Sequence, residues 1–271
     1  MVNVLIYDLF HSIKWMKRAE IGLLDTPCLM ESLKAPMRLG LIKPKIDRIY
    51  VTCRENRDKA EAVGVKVDGV IYRLCHPLAF KVESDVKVRD FCSIGNNYSY
   101  DRKNLRLIAK VVDMLSLDCE VLTDAPFIKR RLNKGVSDEV KFKWLGESRF
   151  LIHIPWNGSF EMPVYEAMAC GVPPIYSEIP CLKEYAVGLS VRVEKGDVVK
   201  TIDGDMVKYV VDEEDFVDKV KYALGMKKEE YEDLSVKCRL KALAMQRETI
   251  DRLCKALGFL EDFSDFGCDF V

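Results

Sequence analysis

The sequence lacks three features, each of which would define a class of protein. No stretch approaches the ~20 consecutive apolar residues that a membrane-spanning helix needs. The amino-terminal residues carry neither the basic segment nor the small-residue cleavage site of a signal peptide. Charge of one sign is not in excess, since 42 Lys and Arg stand against 43 Asp and Glu. Because nucleic-acid binders usually carry a basic excess, we expect no nucleic-acid partner. Since neither a membrane-spanning segment nor a signal peptide is evident, we expect a cytoplasmic protein.

Histidine and glutamine are scarce, whereas cysteine is not. None of the ten cysteines forms a Cys-x-x-Cys pair, and no histidine has zinc-finger spacing, so a structural zinc site is not expected. Two explanations of the cysteines stay open. They are either buried free thiols that pack as small apolar groups, which we favour, or disulfides in the cytoplasm of a hyperthermophile. A single Gln among many Lys, Glu and Val residues favours a thermophilic origin.

The sequence contains a regular alternation of short apolar runs and amphipathic stretches, which predicts a parallel α/β fold. Strands are expected at 2–7, 47–53, 70–74, 91–94, 120–123, 150–154, 174–176, 189–193 and 207–211. Helices are expected at 57–63, 103–115, 138–147, 163–170, 180–186, 215–224 and 229–257. A charged segment at 81–89 divides a small first domain (1–88) from a larger second one (89–258), with a tail at 259–271. The crevice between two such domains is where α/β proteins usually bind ligands.

Residues 150–177 carry the clearest chemical signal. They predict a strand, a glycine-containing loop, and a helix whose first turn holds one acid, Glu166. A helix amino terminus offers unpaired N–H groups and a partial positive charge, so it binds phosphate readily. The Glu166 carboxylate could accept both hydroxyl hydrogens of a ribose. Alternatively it only complements the helix dipole, which is worth about 0.3–1 kcal/mol.

The order of residues around Glu166 favours the ribose interpretation. Pro-Val-Tyr-Glu-Ala-Met-Ala-Cys-Gly-Val-Pro-Pro-Ile, at 163–175, closely resembles the carboxyl-terminal signature of family 4 glycosyltransferases. Ile-Pro-Cys-Leu-Lys-Glu at 179–184 and Phe-Cys-Ser-Ile-Gly-Asn-Asn at 91–97 match further patterns of that family, and the likeness extends over 91–257. It implies a GT-B-like α/β fold, with a crevice between two Rossmann-like units. The first unit is expected to be shortened, since only 90 residues precede Phe91.

The resemblance also assigns roles around the donor diphosphate, which an Arg and a Lys reach in that family. The lysine falls on Lys103, with Arg102 as the alternative if the register is off by one, and the arginine falls on Asn96 beside Gly95. A solvated lysine is the other interpretation of Lys103, because lysines are mostly exposed. The backbone of the loop before the helix is expected to cradle the diphosphate, through Phe160, Met162, Pro163 and Val164.

The paired glutamates of the family are only half present. The first of them falls on Gly158, eight residues before Glu166. In relatives this first Glu helps to hold the donor sugar. Glu161, at the position of a family glycine, could replace it with a catalytic role, or it could equally be a surface acid that caps the helix.

Three histidines and a basic cluster complete the candidates. His11 and His76 could meet the acceptor or the donor phosphate, although a lone histidine more often has a structural role. His153, inside an apolar run, is expected to be a buried core residue. A basic cluster could line a helix in peripheral contact with a membrane, or form a solvated face; its members are Lys14, Lys17 and Arg18.

The resemblance implies a hexosyltransferase-like enzyme that needs no cofactor and no metal and retains the anomeric configuration. No Asp-x-Asp motif follows a predicted strand. The donor is expected to be a nucleotide-sugar such as a UDP- or GDP-sugar, and the acceptor a glycan, lipid or protein. Two other classes stay open: a degenerate GT-B-like protein that binds a nucleotide or glycan without turnover, and a purely structural α/β protein. The oligomeric state is left open.

Overall fold

The first four strands form one parallel sheet. A computed structural model describes residues 4–6, 19–25, 46–82, 86–96, 100–132, 135–201 and 204–258. The strands of this sheet lie side by side in sequence order: β1 (Val4–Ile6), β2 (Ala19–Leu24), β3 (Ile46–Val51) and β4 (Gly69–Val70). Strand β2 was not predicted, and the strand expected at 70–74 ends at Val70.

The remaining parallel strands form a second sheet, whose order reverses in the middle. Its members are β5 (Arg89–Ile94), β6 (Cys119–Leu122), β7 (Arg131–Leu132), β8 (Ser148–His153), β9 (Pro174–Ser177) and β10 (Leu189–Val191). Their spatial order is β10-β9-β8-β5-β6-β7, so the chain runs outward from β5 and then returns to β5's other side. In open α/β sheets, ligands bind at such a reversal, outside the carboxyl ends of the strands. The predicted α/β architecture is confirmed.

Helices cover both sheets where apolar residues recur at helical spacing. They are α1 (Arg54–Ala62), α2 (Pro77–Phe80), α3 (Leu105–Leu115), α4 (Asp138–Gly146), α5 (Met162–Ala169), α6 (Pro180–Tyr185), α7 (Glu213–Gly225) and α8 (Lys228–Leu257). Helix α5 is almost entirely buried, because the small side chains of Ala167 and Ala169 let it pack closely. Gly171, with φ +70°, ends it in the left-handed conformation that glycine favours.

The long helix α8 joins the two halves of the molecule, the first half built on the sheet β1–β4 and the second on the sheet β5–β10. It packs against α5 in the second half and continues to the first sheet. Gln246, the single glutamine of the sequence, accepts from the backbone N of Cys75 at 2.9 Å and donates to its carbonyl at 3.2 Å. Arg252 donates to the carbonyl of Val70 at 2.6 Å. These bonds tie the first sheet to a helix that belongs to the second half.

An antiparallel hairpin interrupts the parallel pattern after β10. It consists of β11 (Val193–Lys200) and β12 (Asp205–Val211), and β11 was not predicted. Most of its exposed positions are charged, so β11 has no continuous apolar run that would mark it as a buried strand.

The cysteines of the described residues fit the first of the two explanations left open by the sequence. The eight that lie in the described residues are free thiols, and all but Cys254 are buried. Burial is also the main reason why the pKa of the Cys92 thiol is raised to about 12. These thiols therefore pack as small apolar groups. No helix in the described part of the chain combines the length and apolar character needed to cross a membrane.

Candidate active site

A buried carboxylate surrounded by basic side chains lies at the carboxyl ends of β5 and β8. Glu161 is only 3% exposed. Its Oε1 accepts from Nη1 of Arg102 at 2.9 Å, and its Oε2 is bonded to Nζ of Lys103 and lies 2.9 Å from Nε2 of His153. The interpretation of Glu161 as a surface cap is wrong, because its side chain makes no capping bond to α5. Lys103 is 8% exposed, so the solvated-lysine alternative is wrong as well.

A tight turn after β5 brings both cations to Glu161. Asp101 and Asn104 adopt left-handed φ values of +46° and +52°. The Asp101 carboxylate accepts from the N–H groups of Leu105 and Arg106, at 2.8 and 3.1 Å. Helix α3 therefore begins at Leu105 and not at 103 as predicted, which leaves Lys103 in the turn.

Two glycines allow the close packing of this site. A Cβ on Gly158 would overlap Oε1 of Glu161 and lie 3.0 Å from its Cγ. The Glu161 carboxylate thus occupies the space that a side chain at 158 would need. A Cβ on Gly95 would lie 2.8 Å from Leu105 Cδ2 and 3.3 Å from Lys103 Cβ, so Gly95 lets the turn pack against β5.

Positive charge exceeds negative charge among the four side chains that meet here, Glu161, Arg102, Lys103 and His153. Burial lowers the pKa of Lys103 to about 8, with a further contribution from the neighbouring Arg102. Burial alone would raise the pKa of Glu161, but Lys103 and Arg102 outweigh it and hold that pKa well below its usual range. Burial also lowers the pKa of His153, which favours the neutral ring. Two cations therefore share one carboxylate, an arrangement that suits an additional anion.

Glu166 lies in the second turn of α5, and not in the first turn as predicted, because the helix begins at Met162. It is 8% exposed, and its Oε1 accepts from Nζ of Lys141 at 2.8 Å. Burial raises the pKa of Glu166, and Lys141 opposes that shift. The structure therefore places Glu166 beside α4, in contact with a cation that the sequence did not single out.

The loop before α5 offers fewer N–H groups than the sequence suggested. Pro163 has no N–H, and the N–H of Val164 donates to the carbonyl of Glu161 at 3.1 Å. Phe160 is buried and stacks on Tyr185, with ring centroids 4.7 Å apart. Pro163 and Val164 therefore do not supply free N–H groups to the predicted diphosphate cradle, which has fewer donors than expected.

The other predicted residues are scattered. Asn96 is exposed at the carboxyl end of β5. His76 lies at the amino end of α2, where its Nε2 is 3.8 Å from Asp138 and its ring stacks on Phe142. It therefore contacts α4 and does not belong to the Glu161 cluster. His11 and the predicted basic cluster lie outside the described residues; the cluster is Lys14, Lys17 and Arg18.

The first sheet contributes an acid that sequence reasoning missed. Asp25 directly follows β2, and its carboxylate is bonded to the hydroxyl of Ser159, in the loop that also carries Glu161. Thr52 donates to Asp25 at 2.9 Å, and Arg73 lies 3.4 Å from it. The carboxyl ends of the two sheets thus face each other across the site. An acid at the end of a strand was the available signal, but β2 itself was not predicted.

Relatives of the chain occur in filamentous viruses. No family model matches the chain. "Putative glycosyltransferase 41" of Sulfolobus islandicus filamentous virus (isolate Iceland/Hveragerdi) is 29% identical over 216 residues, which cover 73% of this chain and 60% of the relative. "Putative glycosyltransferase ORF313" of Acidianus filamentous virus 1 is 28% identical over 152 residues, which cover 54% and 48%. The chain spans about half to three-fifths of the length of these relatives.

Solved GT-B glycosyltransferases match the chain over most of its length. Anabaena HepE in complex with UDP and glucose superimposes with a TM-score of 0.65 over 86% of this chain and 70% of that one, at 10% identity. The chain has a GT-B-like fold. The fold implied by the sequence resemblance is confirmed, whereas membership of family 4 stays a prediction.

Within the GT-B-like fold, the antiparallel hairpin holds the loop that carries Glu161. Tyr209 N donates to the carbonyl of Trp156 at 2.9 Å, and Asn157 Nδ2 donates to the carbonyl of Val207 at 2.6 Å. On the side of the loop that faces the turn after β5, Trp156 N donates to the backbone carbonyl of Arg102 at 3.0 Å. The Arg102 side chain donates from Nη1 to the carbonyl of Asn157 at 2.8 Å. The loop is thus fixed between the hairpin and the turn after β5.

The described residues contain no group of three or more side chains suited to hold a metal ion. An Asp-Gly-Asp sequence at 203–205 follows β11, a strand that the sequence did not predict. Asp203 lies outside the described residues, and Asp205 begins β12.

Proposed function

We propose that this chain is a glycosyltransferase that moves a hexosyl group from a nucleoside diphosphate sugar to an acceptor hydroxyl. The observation that carries the proposal is the pair of cations on Glu161, Arg102 and the buried Lys103, at the strand reversal and opposite the ends of the first sheet. The names of the viral relatives support the activity, and a neighbour solved with UDP and glucose supports a nucleotide-sugar donor. The acceptor is a glycan, a lipid or a protein.

In this proposal, Lys103 and Arg102 stabilise the leaving group. As the anomeric C–O bond breaks, negative charge builds on the departing diphosphate. Cations that are held in place in a site without bulk water stabilise that charge strongly. Both cations are bonded to the Glu161 carboxylate, and they bring two positive charges to the site against its one negative charge. We expect these side chains to act without a metal ion or other cofactor.

Glu161 is proposed to take the place of the missing glutamate at 158. Its carboxylate already fills the space next to Gly158, where it would meet the hydroxyls of the donor sugar. We propose retention of anomeric configuration by the sequence resemblance, with the acceptor oxygen attacking from the face that the diphosphate leaves.

Replacing Glu166 with Ala is expected to weaken nucleotide binding about 10- to 150-fold. The ribose hydroxyls would lose a charged hydrogen-bond partner worth about 1.5–3 kcal/mol. Calorimetric titration with UDP, GDP and ADP measures the effect, and Glu229→Ala, an exposed acid at the start of α8, is the control. Equal affinity of Glu166→Ala and wild type for all three nucleotides would contradict the ribose assignment.

The activity is expected to fall as the pH rises above about 8. Lys103 stabilises the leaving phosphate only while protonated, and burial lowers its pKa to about 8. The protonated form therefore prevails below that pH and is lost above it. A profile of kcat/KM between pH 6 and 10, which reports groups of the free enzyme, measures this limb. In Lys103→Arg, which stays protonated, the limb should move upward; an identical limb in that variant would assign it to another group.

A second candidate is a binding protein without turnover, which the departures at Gly158 and Asn96 favour. Both candidates predict thermal stabilisation by a nucleotide, about 2.7 kcal/mol at 100 times its dissociation constant. Only the enzyme releases UDP or GDP from a nucleotide-sugar in the presence of a glycan pool. A purely structural protein would show neither effect.

A further inference from the structure

The carboxylate of Glu166 is part of a row of side chains that joins the two halves of the molecule. Lys141 Nζ lies 2.8 Å from Oε1 of Glu166 and 3.3 Å from a carboxylate oxygen of Asp138. Asp138 in turn lies 3.8 Å from Nε2 of His76, which belongs to the first half. The Lys141 ammonium also lies 4.3 Å from the ring centroid of Phe142. Lys141 is thus held on several sides.

The bond from Lys141 stabilises the charge of the Glu166 carboxylate and fixes its orientation. A buried carboxylate is costly unless a cation or hydrogen bonds stabilise its charge. A carboxylate has about four acceptor positions, so the bond from Lys141 orients the group and leaves positions for a ligand. Part of the Glu166 side chain, 11%, stays exposed.

We propose that Lys141 is a positioning residue that holds the Glu166 carboxylate for the ribose diol, and so determines the preference for ribonucleotides over 2′-deoxyribonucleotides. This inference rests on the proposed function. Lys141 is not proposed as a catalytic residue, because it is bonded to Glu166 and not to a reacting atom.

The charges around Glu166 give the inference a pH dependence. Lys141 and Asp138 face it from α4, and Arg73 and the Cys75 thiol face it from the first half. Burial raises the pKa of Glu166, and Lys141 is the first of the groups that lower it. Without Lys141 the pKa rises further, so that Glu166 takes up a proton at a higher pH. A protonated carboxyl accepts less well from two ribose hydroxyls.

The test compares ribonucleotide and deoxyribonucleotide affinities. Four variants are compared with wild type: Lys141→Met, Lys141→Gln, Lys141→Arg and the control Lys143→Met, which changes an exposed lysine on the same helix. Each protein is titrated with UDP, GDP and ADP and with their 2′-deoxy forms, at pH 6 and at pH 8. Wild type and Lys143→Met should prefer the ribonucleotide roughly 10- to 100-fold. Lys141→Met should lose about tenfold of that preference, and more at pH 6, whereas Lys141→Arg should retain most of it.

The outcomes separate this inference from the proposed function. An unchanged ribose preference in Lys141→Met, with Glu166→Ala still impaired, overturns the role of Lys141 alone. If Lys141→Met does not fold, Lys141→Gln, which keeps a donor without the charge, is read in the same way. A wild-type protein that binds none of the six nucleotides overturns the proposed function itself.

Discussion

Replacing Lys103 with Ala is expected to slow sugar transfer by roughly 10²–10³-fold, the usual cost of removing one preorganised group that stabilises developing charge. The lysine is buried beside Arg102 and Glu161, so water cannot easily replace its charge. Single-turnover kinetics with a saturating nucleotide-sugar measure the rate of the chemical step. Since the effect arises in the transition state, kcat should fall much more than the affinity for the donor.

The matched control for this variant is Lys110→Ala. Lys110 lies on α3, seven residues after Lys103, and its side chain is 62% exposed in a surface pair with Glu213. Surface pairs of this kind contribute little to stability, so the control should keep wild-type activity. Full activity of Lys103→Ala, with Arg102 intact, would show that the leaving group is stabilised elsewhere.

Moving the acid from position 161 to position 158 takes two substitutions. The first, Glu161→Gly, is expected to abolish activity, and the addition of Gly158→Glu is expected to restore part of it. Glu161→Gly removes the only carboxylate bonded to both Arg102 and Lys103 among the described residues. Breaking a buried ion pair by removal of one partner costs about 3–5 kcal/mol, so this variant should lose thermal stability as well as turnover. Gly158→Glu alone should also be impaired, because its side chain would overlap the Glu161 carboxylate.

The double variant Gly158→Glu/Glu161→Gly should recover at least tenfold of the lost turnover, together with part of the lost melting temperature. The physical reason is that the new side chain at 158 begins in the volume that the Glu161 carboxylate vacates. Initial rates of UDP or GDP release and thermal melts of all four proteins provide the measurement. A double variant no better than Glu161→Gly would show that an acid at 158 cannot replace the one at 161, and would end the proposal that Glu161 substitutes for it.

The local pattern predicted much of the second half of the molecule. Helix α5 was predicted within a residue of its position, because the proline near its start and the glycine after its end act through local sterics. Strand β8 was predicted in the same way, from a continuous apolar run. Strand β2 was missed because Glu20 and Gly22 interrupt its apolar run, and the hairpin strand β11 was missed because most of its exposed positions are charged.

The sequence by itself determined the α/β alternation, the buried helix α5 and the segment in which the candidate site lies, since each depends on residues that are neighbours along the chain. Only the tertiary structure decided which side chains meet. Glu161 is 58 residues from Lys103, and Ser159 is 134 residues from Asp25, yet each pair is in contact. Such contacts depend on strand order and on the facing of the two sheets, which no local pattern encodes. For the same reason only the fold could show that Glu161 is buried and that Glu166 is paired with Lys141.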